Sequence, residues 1–230
     1  MGIRDNLELV NKRIEEAAAV SGRKREEIKL VAVTKTVDIG SIREAVGLGI
    51  TSVGENRVQE MMDKHENLKD CELEWHMIGH LQRNKVKYII DKVSLIHSVD
   101  TTALAREINK RAEKSKKRLD ILLQINVSGE ESKFGMDPGK VRDFLQQTES
   151  LKNIHIRGLM TIAPFTDNTE EVRPVFARLK EIFESLKTNG YEGADMDYLS
   201  MGMTGDFEVA IEEGANIVRI GTGIFGARGQ

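Results

Sequence analysis

The sequence predicts an α/β fold: a single-domain (β/α)8 barrel of the TIM type, with an additional helix in front of the first strand. Three observations carry this expectation. Short β-branched and aliphatic runs recur eight times, amphipathic segments with helical spacing separate them, and one more such segment comes first. Alternation of this kind implies parallel strands, because a parallel pair needs a crossover and a helix is the usual one. An open doubly wound sheet uses the same alternation and is the alternative; a count of eight strands favours closure. With only three prolines and no Ser/Gly-rich linker, the 230 residues are expected to form one domain over 1–230.

Residues 5–21 place Leu7, Val10, Ile14 and Ala17 on one helical face, with Asp5 expected as the cap. Lys29 to Thr36 is the first strand. Asp38 caps a helix carrying Ile39, Ile42, Ala45 and Val46, which Gly47 and Gly49 end. Thr51 to Gly54 is the second strand, and Val58, Met61 and Met62 mark the helix after it. Glu74 to Ile78 is the third strand, followed by a helix through Val86, Ile89 and Ile90. Val93 to Ser98 is the fourth, and Asp100 is expected to cap the helix of Leu104, Ile108 and Ala112. The fifth strand, Asp120 to Val127, is the longest apolar run. Asp137-Pro138 opens the next helix, since proline suits the first helical position, with Val141, Phe144 and Leu145 inward. Ile154 to Met160 is the sixth strand and Thr169 to Thr188 a long helix. Tyr198 to Ser200 is the seventh strand. Asp206 caps a short helix running to Gly214, and Asn216 to Ile220 is the eighth strand.

Composition narrows the function. Hydrophobic residues at 40% and charged residues at 31% describe a compact chain rather than a disordered one. A net charge of -3 gives no broad basic field, so nucleic acid is not an expected partner. The single Cys71 excludes an internal disulfide and a cysteine zinc site, which fits a reducing compartment. No signal-peptide block opens the chain and no run approaches the roughly 20 apolar residues of a membrane helix. A cytoplasmic location without a membrane partner is expected.

In either architecture ligands bind at the C-terminal ends of the strands, where this chain places Lys35, Glu55, Asn56, Gly79, Ser98, Asn126, Met160, Ser200 and Arg219. Lys35 stands out because it ends an apolar strand and would face a crevice. Strand seven breaks into Ser200-Met-Gly-Met-Thr-Gly-Asp, and strand eight into Arg219-Ile-Gly-Thr-Gly-Ile-Phe-Gly. Two glycine-rich turns with hydroxyls, in the two positions where barrels often hold phosphate, point to an anion site. Lys85 and Lys133 are additional cationic candidates. Gly221, Gly223 and Gly226 match the spacing of a dinucleotide fingerprint, but that motif needs a following helix, a strand and a distant acid. His76 and His80 lie on a strand and a loop rather than one helical face, and His65, His97 and His155 are isolated, so no metal is expected. No serine sits in a nucleophile elbow.

These residues carry a resemblance. Ala32-Val-Thr-Lys, Gly54-Glu-Asn-Arg-Val-Gln-Glu, His76-Met-Ile-Gly-His-Leu-Gln-Arg-Asn-Lys, Ser200-Met-Gly-Met-Thr-Gly-Asp and Arg219-Ile-Gly-Thr-Gly-Ile-Phe-Gly occur in order over nearly the whole chain. In them the sequence is similar to the pyridoxal phosphate homeostasis protein family, related in fold to the N-terminal barrel of alanine racemase. Arg57 departs from the pattern, since an aromatic residue is familiar after Glu-Asn. The resemblance implies that Lys35 holds pyridoxal 5'-phosphate as a Schiff base and that Arg219 faces the pyridine nitrogen. It implies that Ser200, Gly221 and Thr222 receive the phosphate, and it extends the cofactor-binding set to Thr204, Asn56 and Met201.

The implied role is non-catalytic: a protein that holds the cofactor and delivers it to apoenzymes, expected to be monomeric. An arginine opposite the ring nitrogen hands over no proton, so the ring is a weaker electron sink than with an acidic partner. The alternative is a pyridoxal phosphate-dependent amino-acid racemase. That reaction needs a second base opposite Lys35, which in racemases of the related fold comes from a further domain, and no tyrosine falls in a site segment here.

Overall fold

The computed structural model describes residues 2–130 and 132–226. Its strands bond in chain order into a closed parallel barrel: β1 (Lys29–Val33), β2 (Ser52–Glu55), β3 (Glu74–Met77), β4 (Leu95–Val99), β5 (Leu119–Gln124), β6 (Ile154–Met160), β7 (Ala194–Ser200) and β8 (Ile217–Ile220). β8 pairs with β1 from Lys29↔Ile217 to Ala32↔Ile220, which closes the sheet and leaves no edge strand. The barrel expectation holds and the open sheet is ruled out.

Around the strands run α1 (Ile3–Val20), α2 (Ile39–Gly47), α3 (Val58–Asn67), α4 (Val86–Ile89), α5 (Thr102–Lys114), α6 (Val141–Thr148), α7 (Arg173–Asn189), α8 (Phe207–Glu212) and α9 (Thr222–Phe225). The apolar faces read from spacing are the buried ones: Leu7, Val10, Ile14 and Ala17 in α1, and Leu104, Ile108 and Ala112 in α5. Most of the core lies between helices and strands. A smaller cluster, Val31, Leu95, Leu122, Met160 and Ile217, forms a separate apolar group contributed by five strands.

The additional helix α1 braces the end of the fold. It packs against α8 and α9; Arg13 forms a two-pronged pair with Glu208 at 2.7 Å and lies over the Phe207 ring, and Asn6 donates to the Ile224 carbonyl at 2.9 Å. The turns after β7 and β8 therefore rest on a third element.

Several local readings change. Asp5 is not the cap of α1 but sits in its first turn, where its carboxylate accepts from the Gly2 N–H at 3.0 Å. Thr101, not Asp100, caps α5, its hydroxyl accepting from Leu104 N–H. Asp38 does cap α2, accepting from Ser41 N–H. β7 begins at Ala194, four residues before Tyr198; Asp195 and Asp197 hid it because their carboxylates turn outward to His155 and Arg157 on β6. The glycines after β8 do not stay a loop but allow the single turn of α9. Lys35 lies beyond the end of β1, in a turn.

Candidate functional site

The turn that presents Lys35 is closed by Val37 N–H donating to the Thr34 carbonyl at 2.9 Å. Thr36, its third residue, has φ of +61°, the sign a type II turn needs there and one that a β-branched residue rarely adopts. Groups from α3 hold this conformation. Lys64 donates to the Thr34 carbonyl, and Glu60 accepts from the Thr36 N–H, so the peptides on either side of Lys35 are both tied down. Lys64 is buried and also pairs with Glu55 at 2.8 Å and Glu60 at 2.6 Å. Burial pushes the Glu55 carboxyl up, against the pull of Lys64 and the Thr34 hydroxyl.

Lys35 itself is half-buried and has no hydrogen-bond or ion-pair partner among the described residues. It lines a cavity of about 630 Å³ together with Arg219, Thr204, Asp206, Gly221 and Thr222, and with the β6 loop from Ile162 to Thr166 and Lys133 at the rim. The two glycine-rich turns meet here, as their position after β7 and β8 requires. The Thr222 hydroxyl donates to that of Thr204 at 3.1 Å, and Gly223 N–H donates to the same oxygen at 3.2 Å.

Arg219 is 3% exposed on β8. Its guanidinium donates to the Ser200 hydroxyl at 2.5 Å and to the Thr161 carbonyl at 2.9 Å. Burial lowers its pKa to about 10, with Asp206 acting in the opposite sense, so it stays a cation at neutral pH. Asp206 accepts from Met203 N–H at 2.6 Å, and burial raises its carboxyl despite that bond and despite Arg219. Behind Arg219, Ser200 meets His97 at 3.0 Å and His97 meets His76 at 2.9 Å. β4 and β7 are not neighbours in the sheet, so the contact between His97 and Ser200 runs through the barrel interior.

Of the residues expected from sequence, the cavity brings together Lys35, Lys133, Thr204, Arg219, Gly221 and Thr222. Ser200 and Met201 are fully buried beneath it, and the Ser200 hydroxyl is turned to Arg219 and His97. Asn56 follows β2, level with Lys35 by strand register, and its amide oxygen is buried without a partner. Lys85 stays away, lying near the Tyr88 ring. Sequence reasoning missed Asp206 as a cavity residue, having assigned it to capping, and missed the β6 loop altogether. The signal for that loop was the apolar Ile162-Ala-Pro-Phe, whose Phe165 is 95% exposed. Sequence spacing also leaves His97 isolated and pairs His76 only with His80, whereas in the fold His76 and His97 meet. Among the described residues no group of three metal-ligating side chains assembles, and no helix is long and apolar enough to cross a membrane.

Known proteins resemble this chain along nearly its whole length. Residues 6–229 match the family model described as alanine racemase, N-terminal domain. The pyridoxal phosphate homeostasis protein of Aquifex aeolicus is 49% identical over 224 residues, 97% of each chain. This chain belongs to that family. PipY of Synechococcus elongatus, solved with PLP bound, superposes with a TM-score of 0.82 at 35% identity, over 93% of this chain and all of PipY. An alanine racemase of Clostridium difficile shares the fold at 16% identity, with a TM-score of 0.76; it matches the whole of this chain but 57% of its own length.

Proposed function

We propose that this family member binds pyridoxal 5'-phosphate covalently at Lys35 and holds it for cofactor homeostasis and delivery, without turning over a substrate. The observation that carries the reading is one cavity shared by an amine without a polar partner among the described residues and a buried, charged guanidinium. The donor set suits the ligand: Lys35 for the aldehyde, Arg219 for the ring nitrogen, and the Thr204 and Thr222 hydroxyls with the Gly221 backbone for the phosphate. Asn56, with its unpartnered amide oxygen, and Met201 complete the set, while Ser200 serves through Arg219.

When bound, pyridoxal phosphate supplies an electron sink for carbanions. Arg219 limits it. A guanidinium that keeps its proton gives none to the ring nitrogen, so the residue secures the ligand more than it activates it. Racemisation also needs a base on the opposite face, and no tyrosine lines the cavity among the described residues. The recipients are apoenzymes that require the cofactor, and neither nucleic acid nor membrane is a partner. The setting is the cytoplasm, and the working unit is a monomeric single barrel domain spanning the chain.

Borohydride reduction of the loaded protein followed by peptide mass mapping should place the pyridoxyl group on Lys35 and find none in Lys35→Ala; an adduct on another residue overturns the site. Incubation with L- or D-alanine in deuterium oxide should show no sustained exchange at the α-carbon, and exchange at enzyme-like rates would establish the racemase instead.

A further inference from the structure

Arg219, Ser200, His97 and His76 come from β8, β7, β4 and β3 and are hydrogen-bonded in that order, with Glu74 of β3 beyond His76 toward the opposite end of the barrel. The last contact, His76 Nε2 to Glu74 Oε2, is long at 3.6 Å. Glu74 Oε2 also receives Lys29 at 2.6 Å and the Ser52 hydroxyl at 3.1 Å. Donor and acceptor capacity decides how the protons lie. An arginine only donates, so the Ser200 oxygen accepts from it and the Ser200 proton is free to go to His97 Nδ1. A neutral histidine that accepts at Nδ1 must donate at Nε2, so His97 donates to His76 Nδ1, and His76 in turn presents its Nε2 proton to the Glu74 carboxylate.

The reverse order fails twice. If His76 donated from Nδ1, its Nε2 lone pair would face a carboxylate. His97 would then donate to Ser200, whose own proton would lose its acceptor inside the barrel. Both rings are buried, and burial lowers the pKa of each, which keeps the rings neutral as this order demands.

We propose that Arg219 is held in place by this one-directional hydrogen-bond chain, running from the guanidinium through Ser200 and His97 to His76, whose far nitrogen faces the Glu74 charge at 3.6 Å, and that His97 and His76 are positioning residues for the ligand that Arg219 meets. Each bond in such a chain polarises the next, so a half-exposed carboxylate at the far end stabilises a buried cation at the cavity. The link to pyridoxal phosphate rests on the function proposed above; the order of the protons does not.

Nitrogen NMR of the full chain with 15N-labelled histidine reads that order directly, with or without cofactor. His76 and His97 should each carry a proton on Nε2 alone; a proton on Nδ1 of either ring, or on both nitrogens, overturns the chain. In protein loaded with pyridoxal phosphate, Ser200→Ala should shift the visible absorption of the bound cofactor and speed its loss to a carbonyl scavenger about tenfold, ~1.4 kcal/mol. Glu74→Gln, at a half-exposed position on the far end, should move the His76 and His97 resonances and shift the same absorption band less. Unchanged cofactor spectra and release in a folded Ser200→Ala, or unmoved histidine resonances in Glu74→Gln, count against the proposal. Absence of any adduct on Lys35 counts against the cofactor reading alone.

Discussion

Two lysines meet at the corner where β1 hands over to its turn, and their surroundings are opposite. Lys64 is 6% exposed and has all three of its donors engaged, by the Thr34 carbonyl, Glu55 and Glu60. Lys35, half-buried, has no such partner among the described residues and opens onto the cavity. The contrast extends to the levels they occupy. Groups at the mouth of the barrel open onto a cavity, whereas the layer beneath pairs most of its polar groups with one another, Glu55 Oε2 and the Ser98 hydroxyl excepted among the described residues. A satisfied buried charge fixes structure, and an unsatisfied one in a cavity is available for chemistry.

The sharpest way to break the comparison is to remove each lysine in turn. Lys64→Met leaves Glu55 buried without its counter-ion and frees the Thr34 carbonyl, and should cost about 4 kcal/mol in urea unfolding. Lys35→Ala should stay within about 0.5 kcal/mol of the parent while losing the adduct completely. Adding Glu55→Gln to Lys64→Met should return part of the loss, since it removes the orphaned charge. Equal destabilisation by the two single variants would erase the distinction between mouth and support.

Lys35 and Arg219 were legible in the sequence because the barrel's periodicity alone carries a residue after a strand to the mouth, and the glycine-rich turns followed from the same count. Lys64 was not. It sits on the periodic helix α3 with nothing local to say that its ammonium reaches inward to a carbonyl 30 residues earlier. The histidine pair escaped for a similar reason, since His97 and Ser200 are separated by 103 residues and meet only once the barrel closes. The boundaries that failed have separate causes: Thr101 takes the cap beside Asp100, α1 is capped at Gly2, ahead of Asp5, and the aspartates of β7 turn out to partners on β6.

A smaller effect is expected at the border between the two layers. A Cβ on Gly79, just after β3, would stand 2.4 Å from the Asn56 carbonyl oxygen and 2.6 Å from its Cα. Both are backbone atoms of a rim residue and cannot swing away. Gly79→Ala should therefore cost about 3 kcal/mol through overpacking and displace Asn56 from its place beside Lys35. Thermal unfolding reads the first effect, and slower adduct formation in the folded variant reads the second. An alanine variant with parental stability would mean that the rim yields, and that Asn56 is less fixed than the layer under it.

The smallest effect tests whether the two histidine rings of the supporting layer stay neutral. His76 and His97 are lowered by burial from the ordinary value of 6.5, so the folded protein resists taking up protons that the unfolded chain accepts. The unfolded state then binds more protons below that value. The stability these rings contribute is full above pH 6.5 and is lost as the pH falls toward their folded pKa. Between pH 6.5 and 5.5 the loss is at most about 1 kcal/mol per ring, the limit reached by a ring that stays neutral throughout. Glu55, Asp100 and Asp206, all raised by burial, contribute with the opposite sign, so the useful quantity is a difference between variants. Urea unfolding at both pH values should show the parent losing more than His76→Gln, which has no ring to protonate there, by up to about 1 kcal/mol. Parallel losses would mean that water or a counter-charge already reaches His76, and that the layer beneath the mouth is less closed than its hydrogen bonds require.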